Sequence, residues 1–303
     1  MPKYTARHVR VIQNLLGIES EWNPKVMVGR ALTRVLPEPA LFFIKKHYHA
    51  YLFTHMQDKW MEEEAPALSS FVSPGDSVVD IGANVGFYSR LLAGLVGQKG
   101  HVYAFEPIPP LFDSLCHNLK KSKLSQVEPL PFALSDSDRI DIMELPNYRW
   151  GQPNWYGARF KGATPDKPKF KRREIEVHCR TLDSFRLPKI SFIKCDAEYH
   201  ELAILRSGLE TIRKYHPALL VEIFPNPDDP VTSAYETFAL LASEGYKAYC
   251  FREGKMLLRQ PGERSHVPPN YFFLTAEHVE RYFGTSAVAA PDPMNHQESR
   301  SLS

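Results

Sequence analysis

No two of the four cysteines in this chain lie close together. Cys116, Cys179, Cys195 and Cys250 form no CxxC pair, so neither a disulfide framework nor a zinc site has the spacing it needs. Three of them sit in apolar, strand-like runs, which predicts buried free thiols in a reducing, cytoplasmic setting. Long apolar runs are missing as well. The first segment, "MPKYTARHVR", lacks a signal-peptide core, and the early stretch "ALFFI" is broken by Lys45 and Lys46, so no transmembrane segment is expected. Nor does one sign of charge dominate. Lys and Arg total 37 against 35 Asp and Glu, a net +2, so overall charge names no partner and gives no sign of nucleic-acid binding. There is no internal repeat.

What the chain does have is globular: 43% of its residues are hydrophobic, enough for a sizeable core. Residues 5–65 read as helices, with "VRVIQNLL" and "VMVGRALTRVL" carrying apolar residues at three- and four-residue spacing. Pro37 and Pro39 interrupt, and a further segment runs to about Trp60. Up to residue 60 there are nine basic and four acidic residues. Residues 1–65 are therefore expected to be a helical extension packed on the main domain, with a membrane-surface or subunit contact as the alternative.

After the turn "SPGDS" the pattern changes. Strand "SVVDI", a helix ending near Gly97, strand "HVYAFE", a helix opened by Pro109 and Pro110, and strand "VEPLPFAL" follow in order. This is βαβαβ, the signature of a parallel sheet with helices on both faces. About residues 137–178 break the rhythm, with "IDIMEL" and "EIEVHCRTL" as strands around a polar and aromatic connection. Strand "SFIKCD", a helix at 198–208 continuing to about Tyr215, strand "ALLVEI" and a helix at about 233–243 restore it. "YKAYCF" and "YFFLT" should pair antiparallel. Residues 66–285 thus read as one α/β domain, and 286–303 as a polar, disordered tail.

The stretch "VVDIGANVGFYS" runs from an apolar strand into Asp80 and two glycines four residues apart. Gly82 and Gly86 leave room for close backbone approach. The pattern D-x-G-x-x-x-G departs from the nicotinamide fingerprint G-x-G-x-x-G, which makes a dehydrogenase the poorest reading. An acid in the turn repels pyrophosphate and suits a ligand with a positive end. S-adenosylmethionine (SAM) is such a ligand, with an ammonium, a sulfonium and a ribose. Glu106 ends the second strand, where a carboxylate can accept both ribose hydroxyls. The competing explanation is that Asp80 and Glu106 satisfy backbone N–H groups at strand ends.

"SPGDSVVDIGANVGFYS", "VYAFEP", "PFALSDSD", "VHCRTLDSF", "FIKCDAEYHELAILRSG" and "ALLVEIF" resemble, in order, the landmarks of FkbM-type SAM-dependent methyltransferases over roughly residues 70–275. The resemblance implies a three-layer, Rossmann-like class I methyltransferase fold: a mostly parallel seven-stranded sheet with an antiparallel last strand. It implies methyl transfer to a hydroxyl oxygen of a sugar or natural product. Gly82, Ala83, Asn84, Gly86, Phe87, Asp80, Glu106, Pro107, Ala133, Leu134 and Asp196 become the expected cofactor contacts. The family reads D-x-E-G-x-E after its fourth strand, whereas this chain reads D-A-E-Y-H-E, with Tyr199 in place of glycine.

A hydroxyl acceptor needs its proton removed. Asp196, Glu198, His200 and Glu222, all at or just beyond strand ends, are the candidate catalytic groups. No ligand cluster is specific enough to predict a metal. The aromatics Trp150, Trp155 and Tyr156 in "NYRWGQPNWYGARF", with Tyr199, are candidate substrate contacts, and the insertion is a possible substrate lid. Residues 159–173 carry seven basic residues and one acid, which reads either as a solvated loop or as an attractor of an anionic acceptor: a phosphorylated molecule, an acidic glycan or nucleic acid. Alternatives are a methyltransferase acting on RNA or protein through that basic segment, and a non-catalytic binding module on the same fold.

Overall fold

A computed structural model describes residues 36–55, 62–147, 154–163, 172–224, 226–262 and 270–287. The expected helices before residue 36, the tail beyond 287 and Trp150 lie outside these residues. Helix α1 (Glu38–His55) comes first. Then follow β1 (Ser77–Ile81), α2 (Phe87–Val96), β2 (His101–Phe105), α3 (Pro109–Lys121) and β3 (Val127–Leu130). Strands β4 (Ala133–Leu134), β5 (Arg139–Pro146), β6 (Arg159–Phe160) and β7 (Arg172–Arg180) build the insertion. The alternation resumes with β8 (Ile190–Cys195), α4 (Glu201–Ser207), α5 (Leu209–Tyr215), β9 (Ala218–Glu222) and α6 (Ser233–Ser243). Strands β10 (Lys247–Arg252), β11 (Lys255–Leu258), β12 (Asn270–Leu274) and helix α7 (Ala276–Ala287) complete the order.

The main sheet runs β11-β10-β12-β9-β8-β1-β2-β3. Strands β3, β2, β1, β8 and β9 are parallel, and β12 is antiparallel to both β9 and β10. The expected seven strands with an antiparallel last one are present, and β11 adds an eighth at the edge. It forms because Glu253 and Gly254 are both left-handed (φ 50° and 77°), which suits a two-residue hairpin turn between Arg252 and Lys255. Both faces of the sheet are covered, so its strands read as apolar runs. Along β1, Val78 joins a core with Phe53, Leu92, Leu115 and Phe192, while Val79 and Ile81 join a second with Ile193, Leu205 and Ile212.

Three sequence expectations change in detail. "VEPLPFAL" is two strands. Pro131 offers no N–H to continue the ladder, and Ala133–Leu134 crosses to pair with β7. The insertion is a four-stranded sheet in the order β4-β7-β5-β6. Its inner face, Met143, Leu145, Phe160, Val177 and Cys179, packs on Val85, Ile108 and Leu111. The helix expected from residue 198 starts at Glu201, because Glu198 and Tyr199 have φ of 48° and 76°, and it breaks at Gly208, where a Cβ would lie 2.6 Å from Leu182 Cδ2. Cys179, Cys195 and Cys250 are buried free thiols, and Cys116 is half-buried on α3. Among the described residues no helix is long and apolar enough to cross a membrane.

Candidate functional site

Strand order reverses between β1 and β8, and ligands of open α/β sheets bind at the carboxyl ends of strands around such a point. Here a cleft opens, lined by Gly82, Asn84, Glu106, Pro107, Ala133 and Leu134 on the β1–β2 side. Its β8–β9 side presents Asp196, Glu198, Glu222 and Phe224, with Glu62 also on the wall.

The glycine loop is shaped by the chain's own backbone. Gly82 has φ +75°, and a Cβ there would sit 1.9 Å from the Asp196 carbonyl oxygen. The backbones leaving β1 and β8 therefore touch. Gly82 and Ala83 donate N–H groups to the Phe105 carbonyl at 3.0 and 2.9 Å. At Gly86 (φ +97°) a Cβ would meet Leu115 Cδ1 at 2.6 Å. Close approach is the reason for both glycines, as expected, but what approaches is protein. Phe87 opens α2 and packs on Phe53, with ring centroids 5.8 Å apart.

Asp80 lies beneath the cleft wall. It is fully buried. Its Oδ2 accepts from Ser89 Oγ at 2.6 Å, and its Oδ1 has no hydrogen-bond partner. The positive group it faces is Lys194, its register partner on β8, whose charge opposes the rise in Asp80 pKa that burial causes. Lys194 is only 4% exposed. It sits 4.6 Å over the Tyr88 ring and donates to Asp196 Oδ2 at 3.1 Å. Burial works against its charge, but Asp196, Asp80, Glu62 and Glu222 outweigh it and hold the pKa above that of an ordinary lysine. Sequence reasoning passed over Lys194, although a lysine inside the apolar strand "SFIKC" was a legible signal. Glu62, which accepts from Tyr88 Oη (2.7 Å) and Asn270 Nδ2 (2.9 Å), had no signal.

Glu106 does what the competing explanation asked, since its two oxygens accept the Asn84 and Ile108 N–H groups at 2.8 Å each. One lone pair on each oxygen is left to face the cleft. Burial pushes its pKa up to about 7, against the two N–H donors and with help from Asp196 and Asp80. Beside it, the buried Oδ1 of Asn84 lacks a partner.

Asp196 and Glu222 form a hydrogen-bonded carboxyl pair at the ends of β8 and β9. Burial, then the Asp196 charge, drives the Glu222 pKa far up, so Glu222 holds the proton. For Asp196 burial acts upward too, but Lys194 and the bond from Glu222 hold it below the ordinary value. Glu198 reaches about 7, through burial first and then Asp196 and Glu201. Buried Glu201 braces the loop by accepting the Ala197 and Tyr199 N–H groups, both at 3.2 Å.

The remaining candidates separate. His200 points away from the cleft lining. Its Nε2 pairs with Ser135 Oγ at 2.8 Å, its ring lies 4.1 Å from that of Phe160, and burial lowers its pKa to about 4. Tyr199 stacks on Phe224 at 5.5 Å and 27°. Trp155 and Tyr156 line the cleft, and Tyr156 Oη lies 2.9 Å from His49 Nε2 on α1.

Residues 80–248 match the family model of the methyltransferase FkbM domain. The chain belongs to the FkbM methyltransferase family. Among curated proteins it is similar to the hexuronic acid methyltransferase AglP of Haloferax volcanii, 28% identical over 169 residues, or 56% of this chain and 64% of AglP. It is also similar to a protein-L-isoaspartate O-methyltransferase of Aeropyrum pernix, 49% identical over 49 residues, 16% of this chain and 19% of that one. The chain thus spans less than two thirds of either relative. Among solved structures it is similar to an FkbM methyltransferase of Methylobacillus flagellatus (15% identity, 88% of this chain and 59% of that one, TM-score 0.45). A SAM-dependent methyltransferase of Aquifex aeolicus is another (18% identity, 78% and 97%, TM-score 0.38).

The methyl donor of the FkbM family is SAM, and the cleft fits it. The free lone pairs of Glu106 and the orphaned Asn84 Oδ1 suit ribose and adenine donors. Pro107, Ile108, Phe132 and Leu134 supply apolar wall, and Asp196, held ionised by Lys194, suits a cationic group. In this FkbM chain Tyr199 stands at the family's glycine with φ +76°, a conformation for which glycine is the default.

Proposed function

We propose that the protein transfers a methyl group from SAM to a hydroxyl oxygen of a sugar-containing or natural-product small molecule. The observation that carries this is the trio Asp196, Glu198 and Glu222 on the β8–β9 wall, facing Glu106 on the β1–β2 side of one cleft. SAM, when bound, supplies an electrophilic methyl carbon on a sulfonium. The chain's own task is to hold the acceptor in line, exclude water and take up the hydroxyl proton.

The three acids suit three tasks. Glu198, with a pKa near 7, is matched to proton acceptance at neutral pH. Asp196 is a weaker base and a better fixed negative charge. Glu222, protonated, orients Asp196. Trp155 and Tyr156 extend the insertion over the cleft, which supports reading residues 137–178 as its cover. The name of AglP supports a sugar acceptor.

The test is calorimetry with SAM and NAD, followed by labelled-methyl transfer to a panel of hydroxylated acceptors. SAM binding with label on oxygen is expected. NAD binding without SAM binding would sink the reading.

A further inference from the structure

The β8–β9 side of the cleft has a charge and a shape of its own. Among the described residues, the acidic or basic side chains lining the cleft are Glu62, Glu106, Asp196, Glu198 and Glu222, all carboxyl groups, of which Glu222 holds its proton. The buried cation beside them, Lys194, is already engaged by Asp196 at 3.1 Å and by the charges of Asp80 and Glu62. Arg159, from the insertion, acts on Glu198 but is not among the lining residues.

The loop carrying Glu198 is held in a costly conformation. Glu198 and Tyr199 are consecutive left-handed residues with side chains, a state that is costly for a non-glycine residue and persists only where the surroundings enforce it. Here the enforcing groups are visible: the Glu201 carboxylate binds the Ala197 and Tyr199 N–H groups. The result is a Tyr199 ring stacked on Phe224, which lines the cleft and is 46% exposed. The loop that carries Glu198 thus backs an aromatic ring of the cleft wall.

We propose that this side of the cleft is an acceptor subsite that takes an uncharged, hydroxyl-bearing ring and turns away anions, with Phe224, backed by Tyr199, as its stacking wall. The proposal rests on the methyltransferase reading above. Hydroxyls donate to carboxylates in charge-assisted bonds, and the C–H face of a saturated ring packs on an aromatic one. A uronate or phosphate would bring charge of the same sign into a low-dielectric site with no free cation among its described lining, so exclusion is built in by repulsion.

The test uses the full chain and labelled SAM. Matched pairs of methyl glycosides in the gluco, galacto and manno series are offered, each as the neutral hexoside, the hexuronoside and the 6-phosphate. Label should enter a neutral member at least about tenfold faster than its anionic partners. Glu198→Gln should narrow that ratio. Tyr199→Gly should fold, melt no lower than the parent, keep its SAM dissociation constant and raise KM for the neutral acceptor. Equal or faster labelling of the anionic member, or label in no member while SAM binds, would overturn the proposal. So would an unchanged KM in Tyr199→Gly. Absence of SAM binding would instead overturn the methyltransferase reading, and the subsite with it.

Discussion

Lys194 and Asp80 stand side by side on neighbouring parallel strands, and Lys194 reaches forward to Asp196 Oδ2 at 3.1 Å. One buried cation thereby connects the acid before the glycine loop to the acid on the cleft floor. Removing it leaves two carboxylates without their counter-charge. Lys194→Met should lose about 3–5 kcal/mol of stability, the scale for breaking a buried pair by deleting one partner. Urea titration measures this, and a loss below about 1 kcal/mol would show that the pair is not held as the geometry indicates.

Glu198 is expected to accept the acceptor proton, and its pKa near 7 sets a pH signature. The base works only when ionised, so kcat should rise with pH and level off above about 7. Glu198→Gln keeps the shape and should lose roughly 10²–10⁴-fold in rate while still binding SAM. Asp196→Asn separates the roles. A loss of SAM affinity assigns Asp196 to the cofactor, and a loss of rate alone assigns it to the acceptor. If neither amide slows turnover, catalysis is by alignment.

Glu106 is expected to link cofactor binding to stability. Unfolded, its carboxyl titrates near 4.5, and folded near 7. Between those values the native state holds more protons, so this group's contribution to stability falls as pH rises through the window, by up to about 3 kcal/mol. Glu106→Gln has no such proton. Its stability should fall less steeply between pH 4.5 and 7, and SAM should bind more weakly by about 1.5–3 kcal/mol, the scale of a hydrogen bond to a charged group. Denaturation at several pH values and calorimetry check both halves.

Gly82→Ala would place a methyl group on the Asp196 carbonyl oxygen and force a positive φ on alanine. The expected cost is about 3 kcal/mol or more, with loss of SAM binding in whatever remains folded. Gly94→Ala is the control, because a Cβ there meets nothing within 4 Å. Equal melting temperatures for the two variants would contradict the close crossing of β1 and β8.

The sequence by itself determined the alternation of strand and helix, because burial on both faces leaves apolar runs and helices leave a three-to-four spacing. It placed Asp80, Glu106, Asp196 and Glu222 at or next to strand ends, since acids following apolar runs have few other places to go. The FkbM motifs carried the methyltransferase reading. Tertiary structure decided which of these groups meet. Asp80 and Lys194 are more than a hundred residues apart, and only the β1–β8 register joins them. His200 is two residues from the candidate acid Glu198 in sequence, yet the left-handed turn at Glu198 and Tyr199 sends it to Ser135. The insertion became a sheet with its own core because its strands pair with each other and with Ala133–Leu134. Spacing along a chain reports local geometry, whereas the direction in which a side chain leaves a turn depends on backbone conformation and on packing partners far away in sequence.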